Sequence, residues 1–358
     1  MKFLLTLLVL AQSLLAETSL RQTPINHFQV IGTHNSYHLA PHEAERKLIA
    51  LKSEAQVESL EYSHPPLRDQ FAAGIRQIEL DCFADPEGGR YARPAAQELA
   101  EFLKIPFQPQ SDPEGLLEKP GTKILHFPHV DFRTTVLTLQ QALSEVRDWS
   151  RTQPDHFPLF VLLELKGSSE DWQPEALAAL EEEILAIIPR EHLLTPDDVR
   201  GQHETLRAAV LSDGWPSLAQ AQGKIMLALD NTNQVLTHYL APDETVKGRL
   251  LFPSCPDERH PAAAWFKMND PINEFALIKA RSQKGFLIRT RADAGTREAR
   301  ANDTTRRERA FASGAQYIST DFPTANPAFS DYAVTLPGGS RECHYFRPQP
   351  PKGREETR

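Results

Sequence analysis

Apolar runs of four or five residues recur along the chain, each closing on a polar cluster. They predict strands at FQVIGT (28–33), IRQIELDCF (75–83), TKILHFP (122–128), PLFVLLELK (158–166), GKIMLALD (223–230), RLLFPSC (249–255), KGFLIRTR (284–291) and AQYISTDFP (315–323). Continuous runs rich in β-branched and aromatic residues suit strands buried on both faces of a parallel sheet. Between them, helical patterns mark LRDQFAAG (67–74), TLQQALSEVRDWSRT (138–152), PEALAALEEEILAII (174–188), INEFALIKARSQ (272–283) and TRRERAFASG (305–314). Gly74 and Gly314 are natural stops for two of these helices. This alternation predicts an α/β fold, a (β/α)8 TIM-type barrel, regular or distorted, with a doubly wound open sheet as the alternative. The stretch from Asp85 to Gly121, dense in proline and glycine, breaks the rhythm. It reads as a long insertion after the second strand, of the kind that sits over a site or at its rim.

In a barrel of this type, catalytic groups gather at the C-terminal ends of the strands. The first strand runs into Thr33-His34-Asn35, within VIGTHNSYH (30–38). The second carries Glu79 and Asp81, two apart and therefore on one face. The third ends at His126, with His129 just beyond, and the fourth at Glu164 and Lys166. The seventh ends in Arg289, Arg291 and Asp293, the eighth in Thr320 and Asp321. The oxygen set of Asn35, Glu79, Asp81 and Glu164 suits a hard cation such as calcium. Histidines beside it suit acid–base work near neutral pH. Lys166, Arg289 and Arg291 are candidate phosphate contacts. Together these residues point to metal-assisted phosphodiester chemistry. His34, His38 and His42 form an i, i+4 series, but Pro41 disfavours a helix through them, and a zinc site there leaves the carboxylates unexplained. Asp321 reads as a closure or cap of the last strand, Cys82 and Trp265-Phe266 as packing.

Composition narrows the setting. The 358 residues are 40% hydrophobic and 24% charged, enough for a sizeable core. A net charge of −9 argues against a nucleic-acid partner and gives no strong, permanent attraction to an anionic membrane. MKFLLTLLVLAQSLLAETS has the layout of a secretory signal peptide cleaved near Ala16, which predicts a secreted or periplasmic protein. Its apolar core, Phe3 to Leu10, is too short to span a bilayer, so no transmembrane segment is expected in the mature chain. Residues 17–358 are then a single catalytic domain containing the insertion at about 85–121, expected to act as a monomer. Cys82, Cys255 and Cys343 permit at most one internal bridge, and no Cys-x-x-Cys spacing supports a thiolate zinc site.

GTHNSYH, IELDCF, the LHFP and TLQQAL segments and LFVLLELK, in that order, resemble the catalytic half of phosphatidylinositol-specific phospholipase C, in its secreted, calcium-dependent bacterial form. GGRYA (88–92), RTRADAGTREAR (289–300) and SGAQYISTDFP (313–323) extend the resemblance across nearly the whole mature chain. It implies catalytic histidines at His34 and His126 and calcium ligands at Asn35, Glu79, Asp81 and Glu164. It also implies attack by the inositol 2-hydroxyl on the adjacent phosphorus, releasing diacylglycerol and a cyclic inositol phosphate. Calcium would lower the pKa of that hydroxyl and stabilise the transition state. Either His34 or a metal-bound carboxylate would be the base, and His126 would protonate the glycerol oxygen. His129 remains the rival for that second position. The substrate would be phosphatidylinositol, met transiently at a membrane surface through loops such as 85–121. The alternatives are a relative of glycerophosphodiester phosphodiesterases or sphingomyelinase D, and an inactive exported lipid- or inositol-binding barrel. The former commonly carry His-Arg-Gly where this chain has His-Asn-Ser, and the latter reading finds no missing catalytic residue.

Overall fold

Burial along whole strands, rather than on alternate positions, organises the computed structural model, which describes residues 19–346. Its eight parallel strands are β1 Phe28–Thr33, β2 Gln77–Phe83, β3 Leu159–Lys166, β4 Ile225–Leu229, β5 Leu251–Pro253, β6 Trp265–Lys267, β7 Leu287–Arg291 and β8 Tyr317–Thr320. Their order in space is β5-β4-β3-β2-β1-β8-β7-β6, so chain neighbours are spatial neighbours and β1 meets β8. The ring is nearly closed. At the β5–β6 seam side chains make the join: Trp265 Nε1 donates to Phe252 O at 2.7 Å, and Lys267 N to Ser254 Oγ at 3.4 Å. This is the TIM-type barrel that the alternation predicts, not an open doubly wound sheet.

Helices cover the outside for the reason their periodicity gives. The Leu139–Thr152 helix starts where Thr138 accepts a hydrogen bond from Gln141 N, and buries Leu139, Ala142, Leu143 and Val146. The Pro174–Ile187 helix buries Leu177, Leu180 and Ile184 beside it. No helix among the described residues is long and apolar enough to cross a membrane. The predicted signal peptide lies outside the described residues.

One predicted strand needs correction, and one barrel strand was not predicted. The run TKILHFP (122–128) supplies only Lys123–Ile124, antiparallel to the end of β2 and off the ring. Ile124 N bonds Leu137 O, a loop carbonyl, so the run is apolar because it packs over the barrel end. β2 therefore pairs directly with β3. The eighth barrel strand is β6, whose three residues are too few for periodicity to reveal. Trp265 and Phe266 are core residues, as read, but on a strand. The insertion contains the Ala95–Leu103 helix, which meets the Glu43–Ala50 helix through Leu48, Ala96 and Phe132.

Inside β1, Gly32 faces the Gln77 side chain. A Cβ at this position would lie 1.9 Å from Gln77 Oε1 and 2.8 Å from Gln77 Cβ. Gly32→Ala is expected to destabilise the fold by about 1–3 kcal/mol, read as a lower denaturant midpoint. Adding Gln77→Ala is expected to recover part of that loss. A neutral Gly32→Ala would contradict the close packing.

Candidate active site

The acids come together because of strand register. Asp81 pairs with Glu164 across β2 and β3, and Asp230, whose N–H bonds Leu163 O at 2.9 Å, lies one strand further round. One carboxylate oxygen from each of Glu79, Asp81 and Glu164 lies within 4.8 Å of the others. Arg289 donates to Glu79, and Lys267 to Asp230. Lys166 Nζ sits 3.3 Å from Asp81 Oδ2 and 3.2 Å from Glu164 Oε1. That lysine is an ion-pair neighbour of Asp81 but is not aligned as its hydrogen-bond donor. Both Asp81 oxygens and Asp230 Oδ1 are buried with no hydrogen-bond partner. Burial, reinforced by Glu164 and opposed by Lys166, pushes the Asp81 carboxyl well up. Burial also pushes Glu79 up to about 7 against the pull of Arg289.

Donor-free buried carboxylate oxygens favour a cation, and this all-oxygen set fits a hard one such as calcium. Asn35 adjoins them. Its backbone is left-handed (φ 44°), and its Nδ2 donates to the Tyr62 hydroxyl at 3.1 Å, which leaves Oδ1 as its potential ligand atom. Ser36 fastens this turn to β2: its N bonds Glu79 O at 2.9 Å, and its Oγ accepts from Glu79 N at 2.8 Å.

His34 follows β1 and meets Asp321, which follows β8. The Nδ1–Oδ1 distance is 2.8 Å, and Arg291 donates to the other Asp321 oxygen at 2.6 Å. Burial alone would raise Asp321, but Arg291 and His34 hold its carboxyl well below the usual carboxylate range. An ionised Asp321 can only accept, so Nδ1 of His34 carries the proton and Nε2 keeps a lone pair. That Nε2 lies 4.0 Å from Glu79 Oε1. Burial and then the Arg291 charge hold His34 well below its ordinary value, with Asp321 opposing. The imidazole is therefore neutral at neutral pH, the state a general base needs.

His126 stands on a second carboxylate. Its Nδ1 is 2.6 Å from Asp131 Oδ2, while His38 Nε2 lies 3.0 and 3.1 Å from the two Asp131 oxygens. His38 Nδ1 lies 3.1 Å from Tyr62 O, and its ring stacks on Tyr62 at 4.4 Å. Burial would raise Asp131, but hydrogen bonds from His126 and His38 hold it down. His126 belongs to no barrel strand. It reaches the mouth because the segment crosses the end of β2, where Leu125 N bonds Asp81 O at 3.4 Å. His129 is exposed, and its carbonyl accepts from Ala96 N at 2.8 Å.

The structure thus gathers Glu79, Asp81 and Glu164, fastens the Asn35 turn to the Glu79 backbone through Ser36, and gives His34 and His126 a carboxylate each. Lys166, Arg289 and Arg291 all occupy this mouth, each already holding an acid. The series His34, His38, His42 does not converge: the first two face different carboxylates, and His42 precedes the Glu43–Ala50 helix. Sequence reasoning missed Asp131, Tyr62, Asp230 and Lys267 and undervalued Asp321. A signal existed for Asp321, because it ends the strand that closes the ring against His34.

By fold this is a barrel of the bacterial phospholipase C type. The calcium-dependent phosphoinositol-specific phospholipase C of a Pseudomonas species, solved with myo-inositol, superposes with a TM-score of 0.60 at 16% identity, covering 92% of this chain and 97% of that one. The Ca2+-dependent phosphatidylinositol-specific enzyme of Streptomyces antibioticus gives 0.51 at 17% identity, covering 84% and 95%. The phosphatidylinositol-specific phospholipase C of Listeria monocytogenes gives 0.50 at 14% identity, covering 85% and 91%. Likeness at such identities speaks for the fold alone. The family model for Ca2+-dependent phosphoinositide phospholipase C matches residues 23–346, and the chain belongs to that family. No curated protein matches the sequence.

Beside the site, His64 Nε2 donates to His34 O at 2.9 Å, and burial pushes the His64 imidazole down to about 4. The unfolded chain takes up this proton near an ordinary value of about 6.5, the folded chain only near about 4. Stability is therefore lost as pH falls through that window, by an amount on the order of 3 kcal/mol from this group. His64→Gln, which keeps a donor for the carbonyl, is expected to lessen the loss between pH 7 and about 4.5 in denaturant unfolding. An unchanged acid loss in this variant would contradict the assignment.

Proposed function

We propose that this chain is a calcium-dependent phospholipase C that cleaves phosphatidylinositol to diacylglycerol and a cyclic inositol phosphate, exported by way of residues 1–16. One observation carries the reading: buried, donor-free Asp81 oxygens grouped with Glu79 and Glu164, flanked by two histidines that each rest on an ionised carboxylate. Asn35, Glu79, Asp81 and Glu164 would hold the ion. Calcium bound there supplies positive charge for the phosphate oxygens and the attacking hydroxyl.

The residues divide the proton work. Neutral His34, its tautomer fixed by Asp321, takes the proton of the inositol 2-hydroxyl at Nε2 as that oxygen bonds to phosphorus. His126, steadied by Asp131, gives a proton to the glycerol oxygen as its bond to phosphorus breaks. Lys166, partly exposed, and Arg291 are the cations with reach toward a phosphate. Arg289 is buried among Glu79, Asn269 and Ser319, so its contribution passes through Glu79.

The test is phosphatidylinositol turnover with calcium and with chelator. Turnover is expected only with calcium. His34→Ala and His126→Ala are each expected to lower kcat by about a thousandfold. Turnover that survives chelation would overturn the calcium assignment, and full activity in His34→Ala would overturn the base. No turnover under either condition would favour a binding protein.

A further inference from the structure

Backbone pairing between β7 and β8 runs out just short of the site. Its last strand pair is Arg291 with Ser319, followed by Ala292 N to Ser319 O at 2.8 Å. Beyond that point the side chain of Asp293 carries the join. Its Oδ1 accepts from Asp321 N at 2.8 Å, and its Oδ2 accepts from the Thr320 hydroxyl. Thr320 Oγ in turn accepts from Phe322 N at 2.8 Å, so one carboxylate governs three successive residues of this turn. The Tyr332 hydroxyl, 3.2 Å from Oδ2 and 3.0 Å from Ala292 O, closes the cluster. Asp293 and Thr320 are wholly buried.

The turn that Asp293 grips is where the His34 pair is assembled. Thr320 O accepts from His34 N at 3.1 Å, while the next residue, Asp321, meets His34 Nδ1. Both partners are thus placed relative to Thr320, His34 through its main chain and Asp321 through the turn. Keeping a second acid here is costly: burial and then the Asp321 charge push the Asp293 carboxyl up to about 7. Arg291 offsets this only in part, because its Nη2 lies 2.6 Å from Asp321 Oδ2 and 4.0 Å from Asp293 Oδ1. An apolar side chain would avoid the cost but leave Asp321 N and the Thr320 hydroxyl without that buried acceptor.

We propose that Asp293 is a positioning residue for the base: its carboxylate fixes the turn at Thr320, Asp321 and Phe322, and so the direction in which Asp321 holds His34. The inference rests on the phosphatidylinositol reading, in which His34 Nε2 takes the hydroxyl proton. Wholly buried, Asp293 acts through Asp321 and not by contact with the substrate. A base displaced by about an ångström loses rate by about a hundredfold, and the loss falls on kcat.

The experiment compares Asp293→Ala with Asp293→Asn in phosphatidylinositol turnover with calcium. Asp293→Ala is expected to lower kcat about a hundredfold with KM nearly unchanged. Asparagine keeps an acceptor for Asp321 N, so Asp293→Asn is expected to stay within about fivefold of the native kcat. Adding Asp293→Ala to Asp321→Ala is expected to cost no further kcat. Thr320→Val removes only the hydroxyl link and is expected to lower kcat about tenfold, which keeps the test open if Asp293→Ala fails to fold. A further readout needs no turnover: the low-field Nδ1 proton of His34 in proton NMR, assigned by its absence in His34→Ala. It is expected to persist in Asp293→Asn and to be lost in Asp293→Ala. Native kcat in Asp293→Ala or in Thr320→Val, equal losses in the Ala and Asn variants, or additive losses with Asp321→Ala would overturn the proposal. So would a His34 proton that persists in Asp293→Ala. The expected NMR pattern in a native chain without turnover would refute the functional reading and leave the positioning role standing.

Discussion

Unbalanced buried charge at the barrel mouth is the constraint on which the site depends. Lys166, Lys267, Arg289 and Arg291 face Glu79, Asp81, Glu164, Asp230, Asp293 and Asp321, so the acids exceed the cations by about two formal charges. A buried carboxylate without a partner is costly and answers by binding a proton or a cation. The direction at Glu79 and Asp81 shows the proton answer: both carboxyls are pushed up, mainly by burial. A divalent cation answers with the charge that is missing. The ion pairs each restrain one oxygen, and the poorly served oxygens belong to Asp81 and Asp230.

The two histidines share one design and differ in setting. His34 lies between Asp321 and the charge of Arg291, which keeps it neutral while fixing its tautomer. His126 shares Asp131 with buried His38, so that carboxylate is held from two sides. Tyr62 links the groups, stacking on His38 and accepting from Asn35. Distortion of the Asn35 turn would therefore disturb the acid site and both histidine environments together.

Much of this was legible in the sequence because strand ends are where a barrel displays side chains. Glu79 and Asp81, two apart on an apolar strand, identify a shared face by spacing alone. The run at 122–128 misled because periodicity reports burial and not the strand partner: Ile124 and Leu125 are buried under a loop instead of within the ring. β6 escaped notice because three residues carry no period. Asp131 and Tyr62 lie on irregular segments, whose meeting with His126 and Asn35 depends on tertiary packing. Asp321 was visible as a strand-end acid, but its pairing with His34 requires knowing that β8 closes on β1.

The positive charge missing from the barrel mouth is what a bound divalent cation would supply. Thermal unfolding of the native chain and of Asp81→Asn, each with calcium and with chelator at neutral pH, measures it most directly. In chelator, Asp81→Asn should equal or exceed the native chain in Tm, because the cost of burying a carboxyl that must take up a proton is gone. Calcium should raise the native Tm by several degrees and move the variant far less. Equal calcium shifts in the two proteins, or no shift in the native chain, would contradict the account.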